Sequence, residues 1–168
     1  MESLRTHVRS STTARAPVPV ESHEYVDASC ITLTRLAEYI PQWGMNKTAR
    51  EVAGTLCGYF DVEFRHHREE QESGLFPALQ ARAHGEDAQT VNALIARLSA
   101  EHASIEQAWR ALRAVLNDIA LCRPARLSTE EVARFASLYQ NHLANEDAQL
   151  MTLGARILGL HDLKLIVS

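Results

Sequence analysis

Histidine and glutamate recur on the same helical faces of this chain, at spacings that allow them to bind a metal. His66 and Glu70 are four residues apart, and so are His142 and Glu146. Residues at i and i+4 lie on one side of an α-helix about one turn apart, so each pair can point at a common centre. Imidazole nitrogen and carboxylate oxygen form a mixed donor set that suits iron or manganese and also binds zinc. The two pairs therefore predict a metal site.

Two further histidines fall on the apolar stripes of predicted helices. His23 is in register with Val26, and His102 is in register with Ile105. Burying this many ionisable groups without partners would be unfavourable by several kcal/mol each, and a shared cation would offset that penalty. The candidate ligands are His23, His66, Glu70, His102, His142 and Glu146.

The composition is that of an ordinary globular domain. The chain has 168 residues, of which 46% are hydrophobic and 23% are charged, enough for one domain with its own core. The net charge of −4 disfavours a nucleic-acid surface, and no apolar run is long enough to span a membrane. Three cysteines without a CxxC motif indicate reduced thiols in a cytoplasmic protein.

Apolar residues recur at intervals of three and four from residue 21 onward, which predicts one helix after another. Pro41 ends the first helix, and Gly74 and Pro77 indicate a kink in the second. Asn46 or Thr48 caps the second helix, and Ser128 with Glu131 forms a capping box at the start of the fourth. The predicted helices cover about 22–40, 48–83, 86–121 and 128–153.

Four long helices with short connections predict an all-α fold, an up-down-up-down antiparallel four-helix bundle. The bundle is expected over 21–154, between a flexible N-terminal arm (1–20) and a C-terminal tail (155–168).

Residue counts from the connecting turns place the candidate ligands at similar depths in such a bundle. The depths of His23 and His66 differ by ~2–3 Å, as do those of Glu70 and His102. His142 is offset from His102 by ~8 Å, which helix tilt and an irregular connection would have to absorb. We expect all four helices to direct a ligand at one point.

The ordered motifs resemble the hemerythrin-like, or HHE cation-binding, family. A lone histidine on the first helix is followed by HHREE (66–70) and LFPAL (75–79), by EHASI around His102, and by HLANE (142–146). The resemblance covers about residues 21–153 and implies a non-haem di-iron centre in a four-helix bundle. It implies that His23, His66, His102 and His142 are terminal iron ligands, and that Glu70 and Glu146 bridge two irons beside an oxo or hydroxo group.

One departure from the family pattern lies on the third helix. Glu106 stands four residues after His102, where oxygen-carrying hemerythrins have a fifth histidine. The four-His, two-Glu set is similar to that of the di-iron proteins tied to nitrosative stress and iron–sulfur cluster repair. Glu106 is either an additional ligand or a surface charge.

A second departure lies on the second helix, where an extra residue separates the HHREE motif from Leu75. An alternative register directs His67 inward, but the residue four positions later is then Gln71, a poor iron ligand. We therefore favour His66 and Glu70.

The resemblance implies a metal-binding protein that binds or senses a small oxidant or diatomic molecule (dioxygen, nitric oxide or peroxide) or handles iron, in an oxidative or nitrosative stress response. The alternatives are a di-iron oxidoreductase with ferritin-like oxidase chemistry and a zinc-bound structural or interaction bundle. A ferritin-like site needs Glu-x-x-His on two helices, and the chain offers Glu63-x-x-His66 alone. The sequence does not decide whether manganese or zinc replaces iron, or whether the protein is an enzyme. It also leaves open the redox partner and the choice between monomer and homodimer.

Overall fold

The computed structural model describes residues 20–166, so the predicted arm lies, except for Val20, outside the described residues. Within this range the chain is helical and has no strand, which confirms the predicted all-α class. None of the described helices combines the length and the apolar character needed to cross a membrane. The helices are α1 Val20–Trp43, α2 Lys47–Glu70, α3 Phe76–Arg82, α4 Glu86–Ala120, α5 Thr129–Asn145, α6 Met151–Leu158 and α7 Leu160–Ile166.

Two π-helical turns each join a long helix to the short helix that follows it, which makes two continuous helical rods, 47–82 and 129–158. Gln71–Leu75 joins α2 to α3, and Glu146–Leu150 joins α5 to α6. The Phe76 N–H binds the Gln71 carbonyl, and the Met151 N–H binds the Glu146 carbonyl, which is the i→i+5 bond of a π-helix. The predicted kink near Gly74 is therefore a local widening of the helix.

The long helices form a ring of neighbours. Helix α1 packs on α2 and α5, and α4 also packs on α2 and α5. Short connections between consecutive helical segments make neighbouring long helices antiparallel. The predicted four-helix bundle is therefore confirmed. The region predicted as a tail contributes the end of α6 and all of α7, which packs on α6.

Side-chain caps set the starts of α2 and α5. The Asn46 side chain accepts a hydrogen bond from the Ala49 N–H at 3.1 Å, so Asn46 is the cap. The Ser128 hydroxyl accepts from the Glu131 N–H at 3.3 Å, as predicted. Each cap satisfies a backbone donor that has no partner inside the helix.

The first helix continues past the proline that was predicted to end it. Helix α1 includes Pro41 and reaches Trp43. The Gly44 N–H binds the Ile40 carbonyl at 2.8 Å, and Gly44 takes a φ of 73°, a left-handed conformation that ends helices. Glycine rather than proline therefore stops α1.

The core divides into two hydrophobic clusters. The larger cluster lies among α1, α2, α4 and α5 and includes Phe60 and Phe135. The smaller cluster lies among α3, α4, α6 and α7 and includes Leu79 and Leu98. A layer of polar side chains, described below, separates the two clusters along α2, α4 and α5.

Phe60 lies at the centre of the larger cluster and is 0% exposed. Its ring centroid lies 5.0 Å from that of Trp109 and 5.1 Å from that of Phe135, the latter edge-on. Such aromatic contacts add to the free energy of burying each ring.

Replacing Phe60 with alanine should therefore lower the free energy of unfolding by about 3–5 kcal/mol, because it leaves a cavity between the rings. Val62 on the same helix is 49% exposed. Val62→Ala should therefore change the free energy of unfolding by less than about 0.5 kcal/mol. Urea denaturation of the metal-free protein measures both variants. Similar losses in the two would contradict this description of the core.

Candidate metal centre

Three histidines and one glutamate converge in the polar layer where α2, α4 and α5 meet. The cluster consists of His67 from α2, His102 from α4, His142 from α5 and Glu146, the first residue of the second π turn. One ligand atom of each lies within 4.8 Å of the others, and the described residues hold no second group of this kind. His102 and His142 are 0% exposed, Glu146 is 3% exposed and His67 is 8% exposed.

The ligand atoms face one another. His142 Nε2 lies 2.6 Å from Glu146 Oε1, and His67 Nε2 lies 3.0 Å from the same oxygen. The two Nε2 atoms are 3.4 Å apart. The Nε2 atom of His102 is buried and has no hydrogen-bond partner within residues 20–166.

Two carboxylates hold the deepest imidazoles from outside the cluster. Glu72 Oε1 lies 3.1 Å from His102 Nδ1, and Glu101 Oε2 lies 2.9 Å from His142 Nδ1. When Nδ1 carries the proton and donates it to a carboxylate, the Nε2 lone pair is free to bind a metal. The hydrogen bonds therefore orient both rings with Nε2 towards the cluster.

Surface groups in turn hold these carboxylates. Arg68 Nε donates to Glu72 Oε2 at 3.0 Å. Arg97 Nε lies 3.6 Å from Glu101 Oε1, and Asn145 Nδ2 donates to the same oxygen at 3.0 Å. The imidazoles of His102 and His142 are thus each connected through one carboxylate to an arginine near the surface.

Burial and mutual charge set the protonation of the cluster. Burial, helped by the neighbouring His142, lowers the pKa of His102 to about 4. Burial alone would lower the pKa of His142, but its contacts with Glu146 and Glu101 outweigh that effect and raise it. Burial would raise the pKa of Glu146, yet hydrogen bonds from His142 and His67 hold it well below its usual range. His102 is therefore neutral at pH 7, with an Nε2 lone pair available.

The donor set fits a metal ion. A cation would take up the lone pair of His102 Nε2, which has no hydrogen-bond partner among the described residues. Three imidazole nitrogens with one carboxylate oxygen suit iron, manganese or zinc. Two of the rings already have the outer carboxylate partners that metal-binding histidines usually have.

Of the six predicted ligands, the structure brings three together: His102, His142 and Glu146. His23 lies at the rim, with a side chain 22% exposed. Its Nε2 atom is 4.0 Å from Glu146 Oε2, and its Nδ1 atom is 3.3 Å from Asp147 Oδ2. His23 therefore approaches the cluster from the side of Glu146 that faces away from His67.

The predicted pair on α2 does not lie in the cluster. His66 is exposed and Glu70 is half-buried, whereas His67 is buried and takes the place predicted for His66. Phe60 and Phe64, both buried, define the inner face of α2, and His67 continues it. The buried histidine of α2 is therefore His67 rather than His66, because burial of two phenylalanine rings fixes how the helix is rotated.

Of the other residues at the site, Gln71 was rejected in the sequence analysis as a poor iron ligand, and Glu72 and Glu101 were not predicted. The sequence does contain a signal for the pair of His67 and Gln71. Leu75 follows His67 by the same eight residues that separate Leu150 from His142, and both leucines are 1% exposed. The sequence contains no comparable signal for Glu72 and Glu101, because their roles depend on contacts with histidines of other helices.

Glu106, considered as an additional ligand, lies among arginines. Its carboxylate accepts hydrogen bonds from Arg68 at 2.9 Å and from Arg110. The side chain is 31% exposed. These contacts place it in a surface ion-pair network beside the cluster.

Comparison with known proteins agrees with this architecture. A family model described as the hemerythrin HHE cation-binding domain matches residues 20–153. Comparisons with curated proteins and with solved structures find no match. The matched range includes the four long helices and all four side chains of the buried cluster, which marks the chain as a metal-binding protein. This chain therefore belongs to the hemerythrin HHE cation-binding domain family.

Proposed function

We propose that this protein is a non-haem iron protein that binds or senses a small oxidant or diatomic molecule, such as dioxygen, nitric oxide or peroxide, in a stress response. The observation that carries the proposal is the buried His102 Nε2 atom without a partner, facing two further imidazoles and a carboxylate. A buried polar atom without a partner is unfavourable. A metal ion removes that penalty.

The proposed ligands are His67, His102, His142 and Glu146. The bound iron supplies an exchangeable coordination position for the small molecule. The protein excludes bulk water, because all four side chains are at most 8% exposed. Glu72 and Glu101 fix the rings of His102 and His142, so the nitrogen donors are in place before a metal binds.

Metal analysis combined with absorption spectroscopy tests this function. We expect iron in the protein purified from iron-supplied cells, and a change in the visible spectrum of the reduced protein on adding nitric oxide. Zinc with no spectral response would contradict the proposal and favour the structural bundle. Steady-state turnover of an added organic substrate would instead favour the oxidoreductase.

The neighbouring histidines of α2 provide a matched test of the ligand set. Metal at about 100 times its Kd should stabilise the protein by about 2.7 kcal/mol, which corresponds to about 5–10 °C in Tm for a chain of this size. His67→Ala should abolish that increase because it removes a donor, whereas His66→Ala should retain it. Differential scanning calorimetry with and without Fe²⁺ measures both. The reverse pattern would restore the predicted pair of His66 and Glu70.

The outer carboxylates should set metal affinity without binding the metal. Glu101→Ala removes the acceptor of the His142 Nδ1 proton, and we expect Kd to rise by about 10–100-fold. Glu69 is exposed on α2, so Glu69→Ala should leave Kd unchanged. Competition with a coloured chelator gives both constants. An unchanged Kd in Glu101→Ala would show that this hydrogen bond does not support the ligand.

A further inference from the structure

The donor atoms of the cluster surround one point. Ligand atoms bound to a single ion at about 2.1 Å lie at most about 4.2 Å apart. The four donors of the cluster lie within 4.8 Å of one another, so a small inward movement lets one ion reach them all. Two ions in a shared site stand about 3.5–4 Å apart, and each needs donors of its own besides any that bridge. The described residues offer no second group of three histidine, cysteine, aspartate or glutamate donors at this spacing.

Two segments of the bundle share one spacing pattern around the centre, 67–75 and 142–150. Each rod carries a buried histidine, a π turn that begins four residues later, and a buried leucine eight residues later. At the first residue of the π turn, one rod has Glu146 and the other has Gln71. Gln71 therefore occupies the position from which a second carboxylate would enter the centre.

Gln71 makes a contact that a carboxylate could not make. Its Nε2 atom donates to Glu146 Oε1 at 2.5 Å, and the side chain is buried. Two carboxylates at that distance would repel each other unless a cation or a proton lay between them. The amide hydrogen bond thus holds Glu146 in place without a second ion.

The remaining donors near Glu146 are weak candidates for a second ion. His23 is partly exposed and already faces Asp147, whose side chain is 63% exposed. Glu63, a half-buried carboxylate that interacts electrostatically with His67 and His23, lies outside the cluster. Glu146 is the one carboxylate of the cluster, so two divalent ions there would set four positive charges against one negative charge. Buried charge that is not compensated in this way is strongly unfavourable.

We propose that this centre holds one divalent transition-metal ion per chain, bound by His67, His102, His142 and Glu146. Gln71 replaces the carboxylate that a second ion would require. The inference rests on the proposed metal-binding function and differs from the two bridged irons that the family resemblance implies.

Titration of the metal-free protein with Co²⁺, and separately with Fe²⁺ in the absence of oxygen, tests this inference. Visible absorption follows the Co²⁺ titration, and elemental analysis after desalting counts the bound ions. We expect a break at one equivalent in both titrations. A break at two equivalents would overturn the single-ion site while leaving metal binding intact. Absence of binding would overturn the proposed function itself.

Variants at residue 71 test the role of the amide. Gln71→Glu should raise the number of bound ions from one towards two, because the new carboxylate faces Glu146 across the centre. Gln71→Ala should keep it at one, and so should the control Glu70→Gln, which alters the half-buried neighbour outside the cluster. Circular dichroism confirms folding, and the wild-type count decides the question if Gln71→Glu does not fold. A folded Gln71→Glu variant that still binds one ion would overturn the role given to Gln71.

Discussion

Burial of three imidazoles and a carboxylate between two apolar clusters is the constraint on which the centre of this bundle depends. Each of these groups would be unfavourable in the core without a partner. Glu72 and Glu101 satisfy two Nδ1 atoms, and Gln71 donates to Glu146. These partners leave His102 Nε2 and Gln71 Oε1 without hydrogen-bond partners among the described residues, and a cation would supply a partner for the His102 nitrogen. Metal binding to this cluster would therefore be coupled to folding, because the same contacts would serve both.

The two π turns allow each rod to present a ligand and a core leucine on one face. Eight residues of an ideal α-helix overshoot two full turns by about 80°. A π turn takes up about one extra residue, so that Leu75 stays in line with His67, and Leu150 with His142. The extra residue counted before Leu75 disappears when His67 rather than His66 is the inward histidine, because both segments then have the same spacing. The local cost of widening the helix is offset by burial of both leucines.

Local rules were enough to predict the helices, the Ser128 cap and the bundle, because apolar periodicity and short connections determine them. They also identified His102, His142 and Glu146, whose helical faces are unambiguous. They failed on α2, where adjacent histidines compete for one inward position and the choice depends on how Phe60 and Phe64 pack. Glu72 and Glu101 escaped notice because their partners lie on other helices, and a half-buried acid has no local signature.

Two chains of contacts run from solvent to the middle of the bundle. One leads from Arg68 through Glu72 to His102. The other leads from Arg97 through Glu101 to His142. Arg68 and Arg97 have side chains 40% and 44% exposed, so dissolved ions can screen them. Screening weakens the hold of each arginine on its carboxylate, which leaves that carboxylate a stronger acceptor for the imidazole proton. The electron-donating strength of the buried rings is thereby sensitive to the ionic strength of the surrounding medium.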